Sequence, residues 1–365
     1  MKGSISATEF ANAIAEGLLQ ANDRFELIQL PMADGGDGTL ELLVKAMGGI
    51  FIPVNVHDPL DRMISSRFGW IADSKCAIIE MAEASGLKLL ADTELNPMVA
   101  SSRGTGELML EAIDRGAQKI ILGIGGSATV DGGIGMLKAL GFRLVDVNGS
   151  EVNEGGNGLI QLVSVFTGKV RPEMLNCEIV IASDVTNPLL GDQGTVKIYG
   201  PQKGVTLQMI EDLTMGFQNY IAVLEKLSRK ELHDMAGGGA AGGIAIPLIA
   251  FLNATIVPGA ALILNLLGVD SALKNCDLAI TGEGCIDLQS CHGKGPAVIA
   301  DLARQARIPV IAIGGTVKQE ASYLFDGIFS ISAGPSSLEF GMINAYNLTK
   351  QCAFELGKLL NTFAK

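Results

Sequence analysis

Five short segments of this 365-residue chain place glycine beside hydroxyl or carboxylate side chains: PMADGGDGT at 31–39, IGGSATVDGG at 124–133, SDVTNPLLG at 183–191, TGEGCID at 281–287 and IGGT at 313–316. Glycine lets backbone amides come close to a phosphate, a helix N-terminus adds favourable partial charge, and carboxylates hold Mg2+ largely through its waters. Together these parts suit phosphoryl transfer, which asks for positioning and charge stabilisation more than for covalent chemistry. Any one Gly-Asp segment is also ordinary turn chemistry. Recurrence after successive apolar runs points instead to one shared polar site, because open α/β sheets bind ligands beyond the carboxyl ends of their strands.

Which nucleotide fingerprint would this be? No Gly-x-x-x-x-Gly-Lys-Ser/Thr is present: Lys169 and Lys294 each follow a glycine but lack the earlier glycine and the following hydroxyl. A dinucleotide-type fingerprint is present, Gly123-x-Gly125-x-x-Ala128 after the apolar run Lys119 to Leu122, with Asp146 ending a second run, Phe142 to Val145. It makes an NAD-linked oxidoreductase the alternative reading. Against it, Asp131-Gly132-Gly133 falls where a crossover helix should be gaining turns, and Asn148-Gly149 reads as a hairpin turn and not a ribose-binding loop.

The elements that must carry these segments alternate. Ser6-Ala7-Thr8-Glu9 is a capping box, followed by Phe10, Ile14 and Leu18 on one helical face. Phe25 to Met32 predicts a strand, Thr39 to Met47 a helix, and Phe51 to Met81 an antiparallel patch broken at Asp58-Pro59 and Ala72-Asp73. Lys119 to Leu122, Glu178 to Ala182, Asp277 to Thr281 and Ile308 to Ile313 have the short apolar form of buried parallel strands, and Pro296 opens a helix between two of them. The fold class is therefore α/β, with two α/β domains: one doubly wound with a mainly parallel sheet, the other mixed with an antiparallel patch. The expected division is 1–50 with 271–365 as a discontinuous doubly wound domain and 51–270 as the inserted mixed domain, with the active site in the cleft between them.

Composition narrows the partners. Lys plus Arg number 27 against 39 Asp plus Glu, a formal net charge of −12, which repels nucleic acid and anionic membranes. Met235 to Val269 carries no charged residue, but Gly237 to Gly239, Gly242, Gly243, Pro247 and Pro258-Gly259 break it into two short buried helices and not one span. The six cysteines are scattered through apolar runs, as reduced thiols in a cytosolic protein are, and the N-terminus has neither the apolar run of a signal peptide nor the Arg-rich pattern of a transit peptide. The expectation is a cytoplasmic monomer or homodimer acting on a small molecule, with no nucleic acid and no membrane.

With the motifs in order, the chain resembles the bacterial (class I) glycerate kinases, which phosphorylate D-glycerate with ATP. The matching segments are Lys2-Gly3-Ser4, PMADGGDGT, SSRGTGEL at 101–108, IGGSATVDGG, DVTNPLLG at 184–191, GPQKG at 200–204, GGGAAGG at 237–243, and TGEGCID with HGK at 281–294, which span nearly the whole chain. The resemblance implies D-glycerate as substrate, ATP with Mg2+ as donor, and 2-phosphoglycerate favoured over 3-phosphoglycerate as product.

A kinase acting on a small alcohol needs a carboxylate at the hydroxyl, cations for the phosphoryl group and a clamp on the substrate's own carboxylate. Asp184, directly after a strand, is the first choice for the hydroxyl, with Glu283 and Asp287 as further candidates for base or metal. Arg103, with Ser102 and Thr105 in the same loop, is the nominee for the glycerate carboxylate, since guanidinium binds carboxylate bidentately. Gly125, Gly126, Ser127, Lys203 and Lys294 suit ATP phosphates. Gly238 and Gly239 fit either phosphate contact or close helix packing. Asp34, Asp37 and Asp131 sit among glycines, as Mg2+ ligands or turn formers. Cys285, Cys291 and His292 lie near one another but make a poor zinc pattern.

Three departures from the family pattern stand out. The family's short first strand before Lys-Gly-Ser has no counterpart here, Val130 stands where Asn is common, and Cys285 where Arg is common. They keep open a second alternative, a truncated and catalytically impaired relative of the kinase.

Overall fold

The computed structural model describes residues 4–32, 38–287, 295–332 and 334–363. The chain divides into two compact units, Met1–Asp34 with Ala260–Lys365, and Gly35–Gly259. The helix Thr39–Ala46, expected with the chain termini, packs instead on the antiparallel strands of the inner unit, burying Leu40, Leu43 and Val44.

The inner unit is built on a six-stranded sheet of order β1-β2-β3-β4-β7-β8. Its strands are β1 (Ile50–His57), β2 (Met63–Ile71), β3 (Cys76–Glu80), β4 (Lys119–Gly123), β7 (Glu178–Ala182) and β8 (Thr255–Val257); β5 (Arg143–Val145) and β6 (Ser164–Phe166) form a separate antiparallel pair. The predicted antiparallel patch is the meander β1-β2-β3, in register from Ile50↔Trp70 to His57↔Met63. Asp58, 2% exposed, closes its first turn by accepting from the Leu60 and Arg62 amides and from Arg62 Nε at 2.6 Å. From β3 onward the pairing is parallel. Those strands are apolar almost throughout because helices cover both faces, and Ile79, Ile120, Leu122, Ile179 and Ile181 lie in one continuous core with Leu108, Phe217 and Leu248.

Two short helices do occupy the uncharged stretch, Ala245–Leu252 and Gly259–Leu266, and no helix among the described residues is long and apolar enough to cross a membrane. Between them lies β8, which the helical reading missed. Asn253 ends the first helix in left-handed conformation (φ 52°), and the β-branched Thr255-Ile256-Val257 then joins the sheet edge beside β7.

The outer unit carries the parallel sheet β11-β10-β9, from β9 (Ala279–Ile286), β10 (Val310–Val317) and β11 (Gly327–Ser330). Helices cover both faces, as in a doubly wound fold. Leu264, Val269, Ala300 and Ala303 pack in one core with Ile286 and Ala312, while Phe10, Ile14 and Leu356 pack in another with Ile280 and Ile313. The opening helix Ala7–Ala21 has the predicted capping box, Ser6 N donating to Glu9 Oε2 at 2.7 Å and Glu9 N to Ser6 Oγ at 3.1 Å.

Two expectations change here. Phe25 to Met32 forms no ladder with any described strand, so the segment is not a strand, because extended chain without a partner leaves its amides and carbonyls outside a sheet. TGEGCID up to Ile286, and IGGT, are not loops after strands but run within β9 and β10, paired Glu283↔Gly314 and Cys285↔Thr316. Their glycines permit close backbone approach: a Cβ on Gly282 would lie 2.2 Å from Ile313 O, and one on Gly315 would lie 2.8 Å from Gly284 O.

One glycine of the inner unit is under stricter demand. Gly242 has φ 71°, and a Cβ there would lie 2.1 Å from Thr129 O. Left-handed strain and overpacking add, so Gly242→Ala is expected to destabilise the protein by about 3 kcal/mol. The measurement is urea unfolding, with the midpoint lowered and the slope unchanged. An unshifted midpoint would show that the neighbouring segments move apart freely.

Candidate active site

The carboxyl ends of β3, β4, β7 and β8 lie side by side, and the sequence-predicted site residues of the inner unit gather on the segments that leave them. Gly123 of β4 is paired with Ala182 of β7. Gly125 and Asp184 therefore each stand two residues beyond the last rung of neighbouring strands, which are about 4.8 Å apart in any sheet.

Residues 124–133 form a loop with two distinct sides. Gly125 and Gly126 are the accessible part, Gly126 in left-handed conformation (φ 71°). Among the described residues nothing accepts from their amides, while Gly126 O accepts from Leu87 N at 2.8 Å. Such a turn presents backbone N–H groups to an anion. The polar side chains face inward instead. Ser127, Thr129 and Asp131 are 4%, 0% and 0% exposed.

What holds them there is specific. Lys203, 2% exposed, donates from Nζ to Ser127 Oγ at 2.7 Å and to Thr129 O at 2.8 Å. Asp131 accepts from Ser102 N, Ser102 Oγ, Gly133 N and Gly135 N at 2.9, 2.7, 3.0 and 3.2 Å. Tyr220 OH donates to Gly132 O at 2.6 Å. Thr129 Oγ1 is buried without a hydrogen-bond partner among the described residues. Desolvation lowers the Lys203 pKa to about 7, partly offset by the Asp131 carboxylate, and desolvation with the same carboxylate pushes the Tyr220 phenol well above its ordinary value.

These contacts give several predicted site residues different work. Asp131, enclosed by four donors, does not fit an Mg2+ ligand: it accepts from the Gly133 and Gly135 amides where the helix Ile134–Ala139 starts, and pins Ser102 there. Ser102 and Thr105 are fully buried, and the Thr105 hydroxyl donates to Ser85 Oγ at 2.8 Å, so neither side chain faces a ligand. Gly238 and Gly239 are buried packing positions, since a Cβ on Gly239 would lie 2.2 Å from Pro188 O. Lys203 likewise points into the loop and not out of it.

Other predicted residues keep accessible chemistry. Asp184 is half-buried beyond β7, where Ser183 N extends the ladder by donating to Val257 O at 3.0 Å. Arg103 is 37% exposed, its Nε on Glu107 Oε1 at 3.0 Å and its Nη1 on Asp61 Oδ1 at 2.9 Å. Glu107 also receives the His57 backbone N–H, and its other oxygen meets His57 Nδ1, each at 2.7 Å. In the outer unit, Glu283 lies within β9, Asp287 just beyond it, and the exposed Cys285 thiol is 3.7 Å from Asp287 Oδ2. Asp34, Asp37 and Lys294 lie outside the described residues, as do Cys291 and His292. No group of three His, Cys, Asp or Glu placed to hold a metal occurs among the described residues.

The dinucleotide alternative finds little support in this geometry. The helix begins only at Ile134, after the loop has turned through Asp131, so no helix N-terminus meets Gly125. Asp146 spends its Oδ1 on the Asn148 and Ser150 amides, building the predicted turn. The residues that sequence reasoning missed are the anchors Ser85, Tyr220, Glu107 and His57. Tyr220 falls on the apolar face of Leu207–Ser228 with Phe217 and Leu224, where periodicity marks it only as core.

The Lys203 environment makes a pH prediction. The folded pKa of about 7 lies below the ordinary value of 10.5, so between these the unfolded chain binds more protons and stability rises with pH. The burial penalty is therefore full below pH 7 and lifts above it. The unfolding free energy of wild type minus that of Lys203→Met should climb from about pH 7 to about pH 10 and be flat below about pH 6. A difference independent of pH would show that Lys203 is not desolvated.

Comparison with known proteins completes the picture. Residues 1–361 match the family described as the glycerate kinase family. Glycerate 2-kinase of Escherichia coli is 40% identical over 350 residues, covering 95% of this chain and 92% of that protein. Glycerate kinase of Halalkalibacterium halodurans is 40% identical over 356 residues, covering 96% and 94%. A crystal structure named for glycerate kinase 2 from Salmonella typhimurium LT2 superposes with a TM-score of 0.88 at 39% identity, covering 99% of this chain and 96% of that one. Full-length matches of this kind leave one assignment: the chain belongs to the glycerate kinase family.

Proposed function

We propose that this protein transfers the terminal phosphoryl group of ATP, bound with Mg2+, to a hydroxyl of D-glycerate, the 2-hydroxyl in preference to the 3-hydroxyl. The observation that carries this reading is the pairing of an anion-receptive turn, Gly125–Gly126, with a carboxylate, Asp184, at the same height beyond adjacent parallel strands. The name of the Escherichia coli relative, glycerate 2-kinase, favours the 2-position.

In this reading Gly125 and Gly126 receive donor phosphate through their amides, and Asp184 orients the substrate hydroxyl and takes its proton as the phosphoryl group transfers. Arg103 takes the glycerate carboxylate, exchanging the exposed carboxylate of Asp61 for that of the substrate while Glu107 keeps Nε in place. Mg2+ supplies neutralisation of phosphate charge when bound, and one or two carboxylates suffice to hold it beside phosphates. Of the carboxylates that the sequence assigns to the metal, Asp34 and Asp37 are the proposed holders. Glu283 and Asp287 remain the second choice for base or metal, and Lys294 for a phosphate.

ADP release coupled to a reporter, with D-glycerate, Mg2+ and ATP, tests the activity, and phosphorus NMR of the product assigns the position. Wild type is expected to turn over and to give the 2-phosphate. Asp184→Asn should lower kcat by roughly a hundredfold or more, the usual scale for a general base. A loss below about tenfold would move that role to Glu283 or Asp287. No ADP release from folded protein would overturn the kinase reading.

A further inference from the structure

We propose that Lys203 is a positioning residue for the phosphate-receiving turn, acting through Ser127 and making no contact with a phosphate itself. The proposal rests on the reading that Gly125–Gly126 receives the donor.

Lys203 sits in a lysine-glycine setting that, in sequence, reads as a phosphate ligand. Its burial argues otherwise. Both contacts of Nζ lie inside the protein, on Ser127 and Thr129, and a phosphate reaching Nζ would have to displace them. Nor can the residue easily swing outward. Its backbone is fixed in the turn Pro201–Lys203 by Lys203 N donating to Gly200 O at 2.9 Å and Val205 N to the same oxygen at 3.1 Å. The next residue, Gly204, is left-handed (φ 86°) and so close to Leu95 that a Cβ would lie 2.6 Å from Leu95 O.

The effect of Lys203 passes outward along the chain. Ser127 is the residue next to Gly126, and Ala128 N donates to Ser85 O at 2.9 Å on its other side. A tether on Ser127 Oγ, with one on Thr129 O, holds the chain that leaves the turn, and Leu87 N holds Gly126 O from the other side at 2.8 Å. The Gly125 and Gly126 amides lie in the two peptides just before this anchored segment, so their aim depends on where it is held. A neutral amine retains two N–H groups, enough for both tethers, so the positioning role needs the donors and not the charge. The charge itself is opposed within the loop by Asp131.

A double-mutant cycle on ATP affinity separates positioning from direct contact. Calorimetry with MgATP reads dissociation constant and stoichiometry separately, so partial unfolding appears as lost stoichiometry and not as weakened binding. Lys203→Met and Ser127→Ala are each expected to weaken MgATP binding by roughly tenfold or more, and the double variant to be within about threefold of the worse single one. Lys203→Gln, which keeps an N–H donor, should recover part of the loss. Multiplying effects would mean that Lys203 meets phosphate directly, and unchanged affinity in Lys203→Met would mean that it only fills space; either overturns the proposal. If Lys203→Met does not fold, Lys203→Gln with Ser127→Ala runs the same cycle. Binding is read without turnover, so an inactive wild type that binds MgATP would sink the kinase reading alone, and an active wild type with multiplying effects would sink this one alone.

Discussion

A lysine ammonium buried beneath a glycine loop is the constraint on which the rest of the inner unit's site depends. Taking an ammonium out of water is costly, and the fall of the Lys203 pKa to about 7 registers that cost. The protein tolerates it because Ser127 Oγ and Thr129 O accept from Nζ and the Asp131 carboxylate is near. Asp131 in turn is satisfied by four donors from residues 102–135. The two charged groups thus grip successive parts of one loop, Lys203 at 127–129 and Asp131 through 133–135. Glycine-rich backbone loses more entropy on ordering than any other, so a turn such as Gly125–Gly126 keeps one shape only if its flanks are held in this way.

The glycines around this loop differ in their exposure and packing. Gly125 and Gly126 are accessible, and no acceptor among the described residues takes their amides. Gly239 and Gly242 are buried and let neighbouring segments touch: Gly239 N donates to Asn187 O at 3.0 Å, and Gly132 N donates to Gly242 O at 2.9 Å. The segment 237–243 therefore ties the loop that carries Asp184 to the loop that carries Asp131. Its glycines shape the site without facing it, and this resolves the choice between phosphate contact and close packing that sequence leaves open at Gly238 and Gly239.

Much of the α/β alternation is legible in the sequence because burial on both faces demands unbroken apolar runs. Ile120-Ile121-Leu122 and Ile179-Val180-Ile181 have few other fates. What is not legible depends on partners distant in sequence. Phe25 to Met32 has the composition of a strand and no described strand beside it, whereas Thr255-Ile256-Val257, hidden in an uncharged stretch, has one. The same holds within the site. A motif such as IGGSATVDGG announces glycine and polar groups but not which way each faces, and three of its polar side chains turn inward onto Lys203, Ser102 and their neighbours. Substrate identity was not legible in composition or spacing at all, which reach only as far as an acidic, phosphate-suited α/β protein; it came from the order and wording of the motifs.

The accessible chemistry is left to few groups, and their supports differ in kind. Asp184 follows a strand that is extended one rung by Ser183 N to Val257 O, so its backbone inherits the stiffness of the sheet. Arg103, by contrast, begins a helix, and its guanidinium is shared between Glu107, which also binds His57, and the exposed Asp61. One of these carboxylates is fixed by further hydrogen bonds and the other is 72% exposed. A guanidinium held on one side and loosely paired on the other can exchange a carboxylate without losing its orientation, because only the solvated partner must leave. On the proposed reading, a rigid carboxylate at Asp184 and a pivoted guanidinium at Arg103 would divide the task of a small-molecule kinase: the first needs an invariant position relative to the transferring group, and the second needs to take up and release a carboxylate at each turnover.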